Sequence, residues 1–383
     1  MRQHLITLTT SLLLPLFSWA ATAPPPPLEA SAYLLKDFNS GSAIAAHKAG
    51  EKLEPASLTK IMTAYLIFDA LRQGHLTLTQ NVPVSKKAWK AEGSRMFIEP
   101  KRNVTVDELL HGLIIQSGND AAIALAEVIG GSEGQFAEMM NQQATKIGMN
   151  HTNYVNATGL PDKKHYTTAS DLALMAEALI RDFPEDYDRL YKQKEYTYNK
   201  ITQPNRNRLL WLDSNVDGMK TGHTEAAGYC LVSSAKRDKT RLIAIILGAK
   251  SKAMRASESQ RLLNYGFQFY ESTLVYKKSQ TIVNMPVYKG AEKAVSATVK
   301  NDLSLSLPKG DYAKVQATTT AKQPLIAPIK AGQEIGKITF SLDNKVIAEW
   351  PLIAAAEVVE AGFLGSIIDR IKLLLNRYRH DKF

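Results

Sequence analysis

The sequence predicts an α/β protein of the α+β kind: an antiparallel sheet packed by helices, then a small all-β domain, then a C-terminal amphipathic helix. Three patterns predict it. Helix-period and strand-period segments alternate from Ala32 to about Tyr270, only short alternating strands recur after Lys277, and a helical stripe returns from Phe363. The 383 residues exceed one ordinary domain, and 45% hydrophobic with 22% charged residues suits packed cores rather than disorder.

Residues 1–20 come first. Arg2 precedes the uncharged run Leu5–Ala20, with Leu12, Leu13, Leu14, Leu16 and Phe17, Pro15, and small residues at Ser18 and Ala20. The run is too short for the ~20 residues of a membrane span, so a cleaved secretory signal is expected. Residues 21–30 form a leader stiffened by Pro24–Pro27.

Residues 31–276 carry the mixed pattern. A strand is expected at Ala32–Leu35. Leu58–Leu71 is apolar on nearly every face, through Ile61, Met62, Tyr65, Leu66, Ile67 and Phe68, and must be a buried helix. Helices follow over Val106–Ile115, Ala121–Ile129, Gln135–Ile147 and Ala169–Ile180. Strands follow over Gly228–Ala235 and Thr240–Leu247, joined by the polar turn Lys236–Lys239.

Residues 277–357 read as all-β. Val295, Ala297 and Val299 alternate with polar residues, as do Leu303, Leu305 and Leu307; Ile338, Phe340 and Leu342 face Val346, Ala348 and Trp350 across Asp343-Asn344. Over 358–383 an apolar stripe including Phe363, Ile367, Ile371, Leu374 and Tyr378 is accompanied by Arg370, Lys372, Arg377, Arg379 and Lys382. Such a helix is expected to lie in the interface of an anionic bilayer; a helix docked on the β domain is the alternative.

The formal charge of +10, from 47 basic and 37 acidic residues, asks for an anionic neighbour. Export removes nucleic acid from the candidates and leaves the cell envelope. The single cysteine, Cys230, excludes an intrachain disulfide and any thiolate zinc or iron–sulfur site, and no metal or cofactor is expected.

Three short motifs carry chemistry: Ser57-Leu58-Thr59-Lys60, Ser117-Gly118-Asn119 and Lys220-Thr221-Gly222-His223. Ser57 opens the buried helix, where free N–H groups and the positive dipole end favour an oxyanion. Lys60 lies one turn along the same face, and an amine beside an apolar core loses hydration, which favours the free base that can take a serine proton. A plain N-cap serine and a snorkelling lysine would fit the same four residues. Lys220–His223 fall just before a strand, and Gly222 has no side chain to keep another backbone away, so an extended peptide could pair there. An exposed Lys-Thr-Gly turn is the plain alternative.

Together these motifs, within the strings Pro55–Thr63, Gln116–Ala121 and Gly218–Thr224, resemble the signature of the penicillin-recognising serine enzymes. More narrowly, the chain is similar to the low-molecular-mass penicillin-binding proteins that are membrane-associated serine-type D-alanyl-D-alanine carboxypeptidases. The resemblance covers signal, catalytic domain, β domain and terminal helix in order. It implies a β-lactamase/transpeptidase-like catalytic domain acting on peptidoglycan stem peptides that end in D-Ala-D-Ala, with β-lactams as covalent inhibitors. It implies Ser57 as nucleophile, Lys60 as general base, Ser117 as proton relay, Asn119 as holder of the substrate amide, and Lys220 as support for the relay. The backbone N–H groups of Ser57 and His223 would form the oxyanion hole; Thr221 and Arg255 would take the terminal carboxylate, and Arg206 is a further cationic candidate. The expected place is the periplasmic face of the bacterial cytoplasmic membrane.

Rivals stand beside this reading. A class A β-lactamase would carry a Glu-x-x-Leu-Asn string between Asn119 and Lys220, and none occurs there. A D,D-endopeptidase of the same superfamily and a non-catalytic wall-binding protein remain.

Overall fold

The computed structural model describes residues 23–362, apart from Gln323, together with Asp369. The expected signal peptide lies outside the described residues, as does the amphipathic segment apart from Asp369.

Strands β1 (Ala32–Asp37) and β2 (Ala43–His47) open the catalytic domain. Helices α1 (Lys60–Arg72), α2 (Val106–Ile114), α3 (Asn119–Gly130), α4 (Glu133–Ile147) and α5 (Ala169–Asp182) follow. Then come the hairpin β3 (Glu195–Tyr198) and β4 (Ile201–Pro204), strands β5 (Val216–Thr224), β6 (Gly228–Arg237) and β7 (Thr240–Ala249), and helix α6 (Lys252–Phe269).

The main sheet has five strands in the order β2-β1-β7-β6-β5, all antiparallel. Its centre reads as a continuous apolar run because both faces are covered. Along β7, Ile243, Ile245 and Leu247 enter the core that contains α1, while Leu242, Ala244 and Ile246 pack with Leu262 and Leu263 of α6. Helix α1 sits inside the first core with Ile61, Met62, Ala64, Ile67 and Phe68 almost wholly buried, as its all-round apolar pattern requires.

Two local expectations change. Ser57 lies not in the α-helix but in the 3-10 turn Ala56–Thr59 that precedes it, and it caps nothing. Lys220–His223 do come before β6, but they are themselves the second half of a strand, β5, at an edge of the sheet. Two glycines and a lysine weaken its strand signal, and pairing to β6 overrides that weakness.

The C-terminal domain contains β8 (Tyr270–Tyr276), β9 (Val283–Tyr288), β10 (Ala294–Thr298), β11 (Leu303–Pro308), β12 (Gln316–Ala321), β13 (Leu325–Ile326), β14 (Glu334–Leu342) and β15 (Lys345–Ala354). A six-stranded sheet, β12-β14-β15-β10-β9-β13, packs its inward residues with those of the β8-β11 pair. Asp343 and Asn344 both take positive φ, the type I′ geometry of a tight hairpin, and Ile338 pairs with Trp350 and Phe340 with Ala348. Asp369 is buried, and its carboxylate accepts from the Lys289 N–H at 2.8 Å and from Lys293 Nζ at 3.2 Å.

Candidate active site

The three motifs come together where the turn before α1, the turn before α3 and the edge of β5 meet. Gly222 shows how tightly: a Cβ there would stand 3.0 Å from Pro55 O and 3.2 Å from Ala56 Cβ. The missing side chain admits another backbone, as the sequence suggests, and part of that backbone is the turn that carries Ser57.

Ala56, just before Ser57, has φ +47°, a left-handed conformation that costs a non-glycine residue energy. What holds it lies underneath. Thr59 Oγ1 donates to Ala56 O at 2.9 Å and contacts His165 Nε2 at 2.9 Å. The Val155 N–H reaches His165 Nδ1, so Nε2 carries the ring proton and donates it to Thr59. Burial pushes the His165 imidazole down to about 4, which keeps the ring neutral.

Lys60 is 1% exposed, so it is not a snorkelling surface lysine. Its Nζ lies 3.0 Å from Ser57 Oγ, 2.6 Å from Asn119 Oδ1 and 2.7 Å from Thr158 O. Burial, with a smaller push from Arg206, lowers its pKa to about 7 against the opposing pull of Asp120 and Glu133. The orientation of the amine follows from hydrogen-bond accounting. Asn119 Nδ2 donates to Glu92 O at 2.6 Å, so the oxygen of its amide faces Lys60. Asn119 Oδ1 and Thr158 O can only accept, so a neutral Lys60 commits both its N–H bonds to them. The lone pair is left facing the Ser57 hydroxyl.

Ser117 also has positive φ, +62°, and is 3% exposed. Lys220 Nζ donates to Ser117 Oγ and to Thr221 O, each at 2.8 Å. Burial, then Lys60, Arg206 and Arg255, hold the Lys220 amine well below its ordinary pKa. Thr221 is 5% exposed beside it, while His223 is exposed and its ring lies 4.0 Å from that of Tyr229.

Arg255 reaches the site from the first turn of α6. It is 6% exposed and donates to Gly222 O at 3.0 Å and Arg206 O at 3.5 Å; burial lowers its pKa to about 10. Lys60, Lys220, Arg206 and Arg255 thus form a cluster of four basic side chains that act on one another electrostatically.

Several supporting groups lack a sequence signature: Glu92 O, Thr158 O and Ser94 O, which accepts from the Asn119 N–H, are backbone carbonyls. Asp120 was within reach of the sequence, since it adjoins Asn119 in the second motif.

The D-alanyl-D-alanine carboxypeptidase family model, peptidase S11, matches residues 19–251, well over half of the chain. The chain belongs to the D-alanyl-D-alanine carboxypeptidase family. A second model, the C-terminal domain of penicillin-binding protein 5, matches residues 270–360. The carboxypeptidase DacC of Escherichia coli (strain K12) is 42% identical over 370 residues, covering 94% of this chain and 92% of that one. DacA of the same organism is 39% identical, covering 92% and 89%. The crystal structure of penicillin binding protein 5 from Haemophilus influenzae superposes with a TM-score of 0.85 at 40% identity, covering 88% of this chain and 100% of that one. Penicillin-binding protein D2 from Listeria monocytogenes, solved in the ampicillin-bound form, gives a TM-score of 0.59 at 31% identity over 64% of this chain and 100% of that one. The match to the Haemophilus influenzae protein therefore extends over both the mixed domain and the all-β domain of this family member.

Proposed function

We propose that this chain is a serine D,D-carboxypeptidase that removes the terminal D-alanine from peptidoglycan pentapeptides and is acylated by penicillin. The observation that carries the reading is the three-way hold on Lys60, which aims its lone pair at Ser57.

The reaction begins when Ser57 Oγ attacks the carbonyl carbon of the penultimate D-alanine and its proton passes to Lys60 Nζ. The N–H groups of Ser57 and His223 receive the oxyanion. The carbon–nitrogen bond then breaks, and the departing amine takes a proton through Ser117, which Lys220 orients. Water cleaves the resulting ester, with the proton returning along the same groups. Thr221 and Arg255 hold the terminal carboxylate, and Asn119 holds the amide on the other side of the scissile bond.

Among the described residues no helix is long and apolar enough to cross a membrane. The basic amphipathic segment after Gly362 supports a peripheral hold on the outer face of the cytoplasmic membrane, through anionic lipid.

Intact-mass measurement tests the central claim. Benzylpenicillin should add once to the wild type and not to Ser57→Ala, and equal adducts on both would refute the nucleophile. Muropeptide digests should lose pentapeptide while cross-links persist, which separates a carboxypeptidase from an endopeptidase.

A further inference from the structure

We infer that residues 92–98 form a recognition wall for the part of the substrate that precedes D-Ala-D-Ala, with Phe97 and Arg95 as its contacts and Asp120 as the residue that positions them. This deepens the reading above and rests on it.

The argument starts from Phe97. Its φ is +71°, a genuine outlier for a bulky side chain, and it is 41% exposed while its neighbours Met96 and Ile98 are 0% and 1% exposed. A large aromatic is thus turned outward at an energetic cost. Such strain persists only where the surroundings over-determine it.

Here Asp120 does so. Its Oδ1 accepts from the Met96 N–H at 3.0 Å and the Ala121 N–H at 2.9 Å; its Oδ2 accepts from Phe97 at 2.8 Å and Ile98 at 3.2 Å. The carboxylate is 1% exposed. Beneath it Met96 fills the space over Gly112, where a Cβ would stand 2.2 Å from its sulfur. Gln203 of β4 donates to Arg95 O at 3.1 Å, and Arg102 hydrogen-bonds Asn199 between β3 and β4.

The wall also adjoins the site. The Asn119 N–H donates to Ser94 O at 2.7 Å, and its side chain donates to Glu92 O. A peptide lying between the edge of β5 and Asn119 would pass the Ser94 carbonyl and continue toward Phe97, three residues on. The Arg95 guanidinium lies 5.2 Å from the Phe97 ring centre and forms no ion pair among the described residues. A cation over an outward ring suits an extended peptide bearing a carboxylate and an aliphatic chain.

The test compares two substrates, N-acetyl-D-Ala-D-Ala and L-Ala-γ-D-Glu-L-Lys-D-Ala-D-Ala, on the wild type, Phe97→Gly and Arg95→Ala. Glycine suits the left-handed backbone, so Phe97→Gly should fold with an equal or higher Tm. The ratio of kcat/KM for the long over the short peptide should fall roughly threefold to tenfold in each variant, the scale of one lost aromatic or cationic contact, mainly through KM. Asp120→Asn should lower the same ratio, and a structural role alone would lower both substrates equally. An unchanged ratio in Phe97→Gly and Arg95→Ala overturns the wall. A wild type that cleaves neither peptide overturns the carboxypeptidase reading with it.

Discussion

Asn119 and Lys60 form a pair in which each fixes the other: the carboxamide oxygen lies 2.6 Å from the lysine Nζ, while the carboxamide nitrogen is committed to Glu92 O. A neutral acceptor at this place restrains Lys60 without stabilising its charge as a carboxylate would. Asn119→Asp should therefore raise the Lys60 pKa and move the pH midpoint of benzylpenicillin acylation upward from about 7. Stopped-flow acylation across pH 6 to 10 reads this, and an unmoved midpoint would show that Lys60 does not set the profile.

Removing the amine separates function from stability. Lys60→Met should lose on the order of 10² to 10⁴ in acylation rate, the usual worth of a general base. The folded-state pKa, about 7, lies below the 10.5 of a free lysine, so the unfolded chain binds the extra proton between those values. The stability of the wild type should rise with pH across that window, and Lys60→Met should flatten the rise. Denaturant midpoints at several pH values measure it; parallel curves would contradict the assigned shift.

Arg255→Ala should weaken turnover of D-Ala-D-Ala peptides by roughly 1.5 to 3 kcal/mol, the scale of a charge-assisted hydrogen bond. Peptides amidated at the C-terminus should barely respond. Since Arg255 also donates to Gly222 O, equal losses on both substrates would assign it to holding β5 instead.

Gly159 underlies the turn that carries Ser57, with φ +82° and a Cβ position 1.8 Å from Ala56 O. Gly159→Ala should destabilise the catalytic domain by about 1 to 3 kcal/mol and cut acylation, because the turn cannot yield without moving Ser57. A variant with wild-type Tm and wild-type acylation would show that the turn is freely adjustable.

A chain ending at Gly362 should leave the membrane fraction and still cleave a soluble peptide, because the motif contacts described above are made among residues before Gly362. Flotation with anionic liposomes decides it. If the shortened chain floats like the full one, the hold lies elsewhere. If it unfolds, the contact of Asp369 with Lys289 and Lys293 is structural rather than incidental.

The motif residues were legible because their chemistry is carried by side chains at fixed spacing. Their supports were not: three carbonyls hold Lys60 and Asn119, and any residue type presents a carbonyl. The alternating strands of the β domain were legible from their period of two, and β7 from its unbroken apolar run after a polar turn. Helix α6 carries no such signal, because its buried side includes Arg255, Glu258 and Ser259. These polar residues break the apolar stripe, and one of them serves the site.

The two guanidinium groups of the basic cluster, Arg206 and Arg255, keep their charge near neutral pH and act before any bond is made. A cleft of one sign with poorly hydrated walls focuses the field outward and raises the encounter rate of an anion. Peptides ending in a free carboxylate and penicillins, which carry one too, are drawn in alike. Capture of both should slow as ionic strength rises, whereas the chemical step on the bound ligand should not. Selectivity against neutral look-alikes is in this sense kinetic, imposed on arrival rather than after binding.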